Sequence, residues 1–394
     1  MGLENHIPND IREKLREHYH TSLFNDFVPW WEKHSIDKEY GGYLTRLERD
    51  GTPYSYDKDI WMTGREIWMF SHLYNNYKPE ERWREYAKHG LDFMLKHAIK
   101  EDGKMHFRLS RSGEPIASVL SLYTEVFASI AIAEYWKVEP SDSLKNKAME
   151  MYGNMMKRLG QASDTPLLGY PINVKLHLHA HDMVRLTVAW VYNDIWPDQK
   201  FENDITLSWQ SVIERHWKPE HKVLFENVGM DGSLMLDLPE GRMFHPGHAI
   251  ESAWMMMEVA EKTSNVKLMS ASIDIVLASL EHGWDKEFGG LRYVTNYDWT
   301  PTHNLEADLK LWWPHGEALY ALLFAWAKTG RSDLEEWYNK VHDYTFSHFP
   351  DTKYGEWFGY LNRDGSPVWS AKANGWKGFF HVPRILFRCY QLLP

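Results

Sequence analysis

Five times along the chain a helical stretch gives way to a short aromatic, glycine-bearing segment that reads as a β-hairpin. The copies are DKEYGGYLTRLERDG from Asp37, EDGKMHFRLSRSGEP from Glu101, PEHKVLFENVGMDGS from Pro219, DKEFGGLRYVTNYDW from Asp285 and DTKYGEWFGYLNRDG from Asp351. Their starts lie 64, 118, 66 and 66 residues apart. The long interval is close to two short ones, so a weaker copy is expected near GQASDTPLLGYP, Gly160 to Pro171. A fixed period constrains the whole fold, because each unit buries its apolar face only against its neighbours. Each interval holds two helical patterns, which predicts six helix pairs arranged in one ring. The expected fold is therefore all-α, an (α/α)6 barrel with short β-hairpins on one face.

The repeat runs through all 394 residues without a Pro/Ser-rich linker, so residues 1–394 are read as a single domain. No apolar run has the length of a membrane span, and MGLENHIPND lacks the basic and apolar regions of a signal peptide. The single cysteine, Cys389, forms no internal disulfide and offers no metal-ligand cluster. These features predict a cytoplasmic protein with no membrane partner and no required metal. A net charge of −11 without a basic stripe argues against nucleic acid. The chain carries 20 Trp, 21 Tyr and 17 Phe, concentrated in the hairpins and the helix starts after them. Any one ring is explained by packing between helices; together they suggest a carbohydrate pocket, since sugar C–H faces pack on aromatic rings.

One set of helical patterns carries charge along one face and is expected outside: about Asp10 to Lys33, Pro79 to His97, Ser141 to Leu159, Gln199 to Trp217, Asn265 to Gly283 and Arg331 to Phe349. The other set is richer in apolar and small residues all round and is expected inside: about Lys58 to Tyr77, Ser118 to Trp136, Asn173 to Asn193, Pro246 to Lys262, Asn304 to Lys328 and Gly378 to Leu392. All six inner helices follow a hairpin. Their N-termini, with unpaired N–H groups and positive dipole ends, should open on a common cavity.

Polar residues recur at those starts. They are Arg65, Glu125, His177, His248 with Glu251, then Trp312, Trp313, His315 and Glu317, and finally Lys377 and His381. His248 and Glu251 are three apart on one helix face, so the carboxylate is expected to orient the imidazole. Glu317 is expected to do the same for His381 across the cavity. Two histidines on opposite walls suit removal of a proton from one face of a substrate and return to the other. An arginine such as Arg65 suits the oxyanion formed when a proton leaves a carbon beside a carbonyl. The competing structural roles are a salt bridge from Arg65 to Glu66 or Asp59, and a buried Glu125 serving a neighbouring helix.

The strings HPGHAIESAW, KLWWPHGEA, YGEWFGYLNRDG and KGFFHVPR, with YGGYLTRLERDG, IWMTGREIWMF and LFENV, resemble the N-acylglucosamine 2-epimerase family. The resemblance covers nearly the whole chain in order, and favours the animal, renin-binding members over the cellobiose 2-epimerases. It implies an (α/α)6 barrel and interconversion of N-acetyl-D-glucosamine and N-acetyl-D-mannosamine. It implies that His248 and His381 are the proton-transfer bases and that Arg65 binds the oxyanion. It further implies sugar contacts from Glu251, Trp312, Trp313, Glu317 and Trp376, a homodimer, and in some members activation by a nucleotide such as ATP that is not consumed. No Gly-rich phosphate loop accompanies that last expectation.

One segment departs from the pattern: NVKLHLHAHDM carries three histidines where the renin-binding-like members are mostly apolar. His177 is therefore a candidate for ring opening or a hydroxyl contact. The alternative substrate is a free hexose, either epimerised at C2 or isomerised to a ketose. Glycoside hydrolysis would cast Glu251 and Glu317 as the paired carboxylates but leave the two histidines idle. A non-catalytic sugar binder leaves them idle as well.

Overall fold

The computed structural model describes residues 5–118, 122–159 and 173–394. The outer helices are α1 (Asn9–Thr21), which continues through a π-helical turn into α2 (Val28–His34), then α4 (Glu81–His97), α6 (Asp142–Leu159), α8 (Gln199–Ser211), α11 (Val266–Gly283) and α13 (Ser332–His348). The inner helices are α3 (Ile60–Asn76), α5 (Tyr123–Val138), α7 (His179–Ile195), α10 (Pro246–Thr263), α12 (Trp312–Thr329) and α14 (His381–Leu392). A four-residue helix, α9 (Pro239–Arg242), precedes α10. Burial separates the two rings as the patterns require. In α4 the buried residues Trp83, Ala87, Gly90, Leu91 and Met94 follow the helical period on one face. In α12 every residue from Trp312 to Ala327 is buried.

Each inner helix packs on the outer helix of its own pair and on the next inner helix around the ring, from α3 to α5 and on to α14. Closure comes from aromatic contacts: Trp68 of α3 meets Phe380 at 5.3 Å, and His72 meets Phe387 of α14 at 5.5 Å. The expected α/α toroid is the fold. The weak hairpin copy at Gly160 to Pro171 lies outside the described residues.

The β-structure is short and has one consistent job. The residues just before an inner helix pair antiparallel with the hairpin of the following repeat. Asp59 lies opposite Arg108, Leu178 opposite Asn227, Phe244 opposite Thr295 and Leu311 opposite Tyr360. Leu47 of the first hairpin bridges Ala373 ahead of α14, which closes the circle. This pairing explains two late helix starts: Leu176–Leu178 and Lys310–Leu311 are extended, so α7 begins at His179 and α12 at Trp312, not near Asn173 and Asn304. It also fixes the height at which each inner helix begins, and hence the level of the side chains in its first turns.

Three hairpins open on an aspartate that is clasped twice. Asp37 takes the buried Lys58 of its own repeat at 3.0 Å and Arg111 of the next at 3.0 Å. Asp285 takes Lys310 at 3.1 Å and Arg363 at 2.7 Å, and Asp351 takes Lys372 at 3.0 Å and Arg49 at 2.7 Å. No helix among the described residues is long and apolar enough to cross a membrane.

Candidate active site

Two histidines stand in the first turns of inner helices, each tied by Nδ1 to its own carboxylate. His248 donates to Glu226 Oε1 at 3.0 Å, and His381 donates to Glu317 Oε1 at 2.8 Å. That leaves Nε2 of each ring for proton exchange. One indole borders both: Trp313 lies 5.4 Å from the His248 ring and 5.5 Å from the His381 ring. Trp313 reaches this position because the first turn of α10 carries Gly247, where a Cβ would stand 2.6 Å from the indole. The Pro-Gly-His string is thus a packing requirement as well as a source of the histidine.

Glu226 replaces the carboxylate expected for His248. The helical spacing of His248 and Glu251 does not bring them together, because Glu251 accepts from Arg384 Nη2 at 2.7 Å. Arg384 also holds Glu317 Oε1 at 2.6 Å, and Trp254 holds Glu317 Oε2 at 2.8 Å. Glu226 comes from the bend of the hairpin segment just before the strand Asn227–Gly229, outside the helix, and its backbone carbonyl accepts from His179 N at 2.9 Å. Its second carboxylate oxygen faces His179 Nδ1 at 3.5 Å, and His179 Nε2 lies 2.8 Å from Ser252 Oγ. The signal for Glu226 was present in LFENV, but only the fold tells which histidine it serves.

The two imidazoles are driven apart electrostatically. Burial pulls His248 down, but the Glu226 carboxylate outweighs it and sets the ring above its ordinary range. Burial, reinforced by the Arg65 guanidinium, holds His381 well below that range. One ring therefore favours the acid form and the other the base form, the division of labour that acid–base chemistry requires.

Arg65 is buried, and among the described residues it makes no ion pair. Asp59 is taken by Arg46 at 2.9 Å and Glu66 by Ser35, so neither expected salt bridge forms. The guanidinium lies 4.1 Å from the Phe127 ring, 4.9 Å from Trp61 and 5.1 Å from Phe380. Its Nη1 makes one long bond to the Trp376 carbonyl at 3.4 Å, and its Nε has no partner among the described residues. Gly64 allows this enclosure: a Cβ there would stand 2.8 Å from the Phe127 carbonyl carbon. Burial draws the Arg65 pKa down to about 9, which still leaves it charged at neutral pH. A cation in an aromatic cage, without an ion-pair partner among the described residues, can balance a negative charge formed beside it.

The remaining sequence candidates divide. Trp376 is half exposed and sets its ring edge against Trp61 at 5.4 Å, beside Arg65. Trp312 packs on Tyr360 at 5.1 Å. Glu125 accepts through Oε1 from Arg158 at 3.0 Å and from Met105 N at 3.3 Å, which ties it to the neighbouring helix and hairpin, while its Oε2 has no partner among the described residues. His315 is structural, accepting from Leu291 N at 2.9 Å while donating to the Leu311 carbonyl at 2.7 Å. Lys377 is paired with Glu356. His177 donates to Asp182 Oδ2 at 2.8 Å, next to His216 rather than His248. The site residues not foreseen are Glu226, Arg384, His179 and the Trp61–Phe127 cage.

The profile of the N-acylglucosamine 2-epimerase (GlcNAc 2-epimerase) family matches residues 42–384. The N-acylglucosamine 2-epimerase of Mus musculus is 34% identical over 377 residues, covering 93% of this chain and 89% of that one. A cellobiose 2-epimerase of Dictyoglomus turgidum is 23% identical over 398 residues, covering 95% of this chain and 97% of that one. Among solved structures, the cellobiose 2-epimerase of Bacillus thermoamylovorans superposes with a TM-score of 0.83 at 19% identity, covering 96% of this chain and 99% of that chain. With the profile spanning most of the chain and paired histidines at the mouth of its toroid, the protein belongs to the N-acylglucosamine 2-epimerase family and is an isomerase, a sugar 2-epimerase.

Proposed function

We propose that the substrate pair is N-acetyl-D-glucosamine and N-acetyl-D-mannosamine, interconverted at C2 of the ring-opened sugar. The observation that carries the mechanism is the pair of carboxylate-held histidines flanking Trp313 beside an unpaired arginine. The substrate assignment rests on the 34% identity to a relative bearing that name, against 23% to the disaccharide epimerase. His177 supports it too, because its Nε2 is engaged by Asp182.

The sugar opens to the aldehyde, with Trp313 offering an apolar face. His381, held neutral, takes the C2 proton on Nε2, the C2–H electron pair forms a C1=C2 double bond, and the C1 carbonyl π pair moves onto oxygen to give the enolate. Arg65 compensates that charge. His248, favouring its protonated form, then delivers a proton to the other face of C2. The reverse direction exchanges the roles. Glu317 and Glu226 hold the two rings in the productive tautomer throughout.

The family resemblance adds a homodimer and activation by ATP without its consumption; light scattering and assays with and without ATP test these. The deciding experiment is proton NMR of the protein with N-acetylglucosamine in D2O, with mannose and glucose in parallel. N-acetylmannosamine deuterated at C2 is the expected product. A ketose, or turnover of a free hexose alone, would overturn the substrate assignment.

A further inference from the structure

A second histidine–carboxylate cluster lies behind the His248 wall and has no part in the reaction above. His177 Nε2, His216 Nε2 and Asp182 Oδ2 all lie within 4.8 Å of one another. His216 is fully buried. Its Nδ1 faces the Phe225 carbonyl at 2.8 Å, an acceptor only, so that nitrogen carries the hydrogen. The neutral ring then points an Nε2 lone pair at the Asp182 carboxylate, 3.6 Å away, too far for a hydrogen bond. His216 Nε2 has no hydrogen-bond partner among the described residues. Asp182 Oδ2 is shared by His177 and Ser211, so the unpartnered group is the buried His216 Nε2, whose lone pair faces an anionic oxygen and is relieved by a cation between them.

The surroundings are those of a ligand set. A ligating histidine typically donates its other ring N–H to a carbonyl or carboxylate, as His216 does to Phe225. Asp182 is fully buried, and Arg185 holds its Oδ1 at 2.8 Å, which turns Oδ2 toward the histidines. Ser211 Oγ stands 2.6 Å from Oδ2 and 3.3 Å from His177 Nε2, a hydroxyl at the open side. Ligands about 2.0–2.2 Å from a four-coordinate ion stand roughly 3.3–3.6 Å from one another. The His216–Asp182 separation already matches, and His177 needs to swing out slightly from its 2.8 Å bond and carry its hydrogen on Nδ1 instead of Nε2. The residues Val212–His216 form a π-helical turn, an irregularity common at functional sites, and it ends on His216. Entry is through His177, whose side chain is 18% exposed.

We propose that His177, Asp182 and His216 bind one divalent transition-metal ion of the zinc type, with Ser211 or water completing its shell. The two other histidine–carboxylate groups are worse sites. In Glu251, Glu317 and His381 the Arg384 guanidinium occupies both carboxylates. In His179, Glu226 and His248 an ion would take the Nδ1 through which Glu226 holds the reacting histidine. The ion takes no part in proton transfer. It orders the wall on which His179 stands, whose ring is 5.5 Å from that of His216 and which shares Glu226 with His248.

The test is titration of chelator-treated full-length protein with Co2+, read by its visible absorption, and with Zn2+, read by calorimetry. One ion per chain is expected. Asp182→Asn and His177→Ala should abolish it or weaken it at least about tenfold, whereas His248→Ala and Glu317→Gln should retain it. Because Asp182→Asn removes a buried charge and can unfold the protein, the rim variant His177→Ala, checked by circular dichroism, carries the decision. No uptake by the wild type, uptake unchanged in folded His177→Ala, or uptake lost in His248→Ala would each overturn the assignment.

Discussion

Arg49 in the first hairpin donates through Nε to Asp351 Oδ2 in the last at 2.7 Å, across 302 residues of chain. The same aspartate holds the buried Lys372 at 3.0 Å. The pair repeats, between the two ends of the sequence, the clasp that Asp37 and Asp285 make between consecutive repeats. The ring is therefore locked at its seam by the device used elsewhere around it.

Removing Asp351 strands Lys372 in the interior, and a broken buried pair costs about 3–5 kcal/mol. Asp351→Asn should lower stability by that order in urea denaturation followed by tryptophan fluorescence. Arg49→Ala, which removes only the solvent-facing partner, should lower it much less. The acid side follows from the same clasps. Burial opposes ionisation of Asp37, but Arg111 and Lys58 hold it at about 2, below its ordinary 3.8, and Asp285 and Asp351 are depressed likewise. A carboxyl depressed in the fold contributes stability present above its unfolded value and lost as pH falls through the folded one. Unfolding midpoints should therefore drop between about pH 4 and 2.

Glu226 sets the protonation of His248, so Glu226→Gln lets burial prevail and lowers the His248 pKa. In the direction where His248 is the acid, the alkaline limb of kcat/KM should move to lower pH, with a loss of up to about 10²-fold. Glu251→Gln should move that limb less, because Glu251 bonds Arg384 instead. Equal shifts in the two variants would return the pairing to Glu251.

Among the described residues Arg65 makes no ion pair, and its Nε has no hydrogen-bond partner. Arg65→Met should cost about 10²–10³ in kcat, as removal of an oxyanion donor does. It should leave the melting temperature unchanged or raised, since a buried unpaired charge is removed. A large fall in melting temperature would mark Arg65 as structural.

Glu66 is buried with Ser35 as its hydrogen-bond partner, and burial lifts its pKa from 4.5 to about 8. The folded state keeps a proton that the unfolded chain has released. Stability contributed by that proton is full below pH 4.5 and is lost as pH rises toward about 8. Glu66→Gln, which keeps a polar partner for Ser35, should be more stable than wild type at pH 8. Melting curves of the two should converge near pH 4.5.

The ring was legible because its cause is local and periodic. Hairpin strings 64, 118, 66 and 66 residues apart, with one amphipathic and one largely apolar helical pattern per unit, leave few ways to bury the apolar faces. Helix starts were less so: Asn304 to Leu311 reads as helix until Lys310–Leu311 pairs with Tyr360–Leu361 of the next hairpin. Such pairing joins residues about fifty apart and leaves no mark in either segment alone.

The candidate site divides along the same line. Which residues line the mouth was set by position in the chain, since the first turns of inner helices share one level, and His248, His381, Trp313 and Arg65 were placed there by sequence alone. What each of them touches was decided by tertiary structure. Helical spacing offered Glu251 to His248, yet Arg384 from another helix captured it, and Glu226 arrived from a bend in a hairpin segment. Glu125 and His315 sit at the same kind of position and were drawn into structural bonds by neighbours distant in sequence. Periodicity determines which face a side chain shares; the partner of a buried charge depends on which opposite charge the folded ring brings within bonding distance, and that is a property of three helices and a hairpin together.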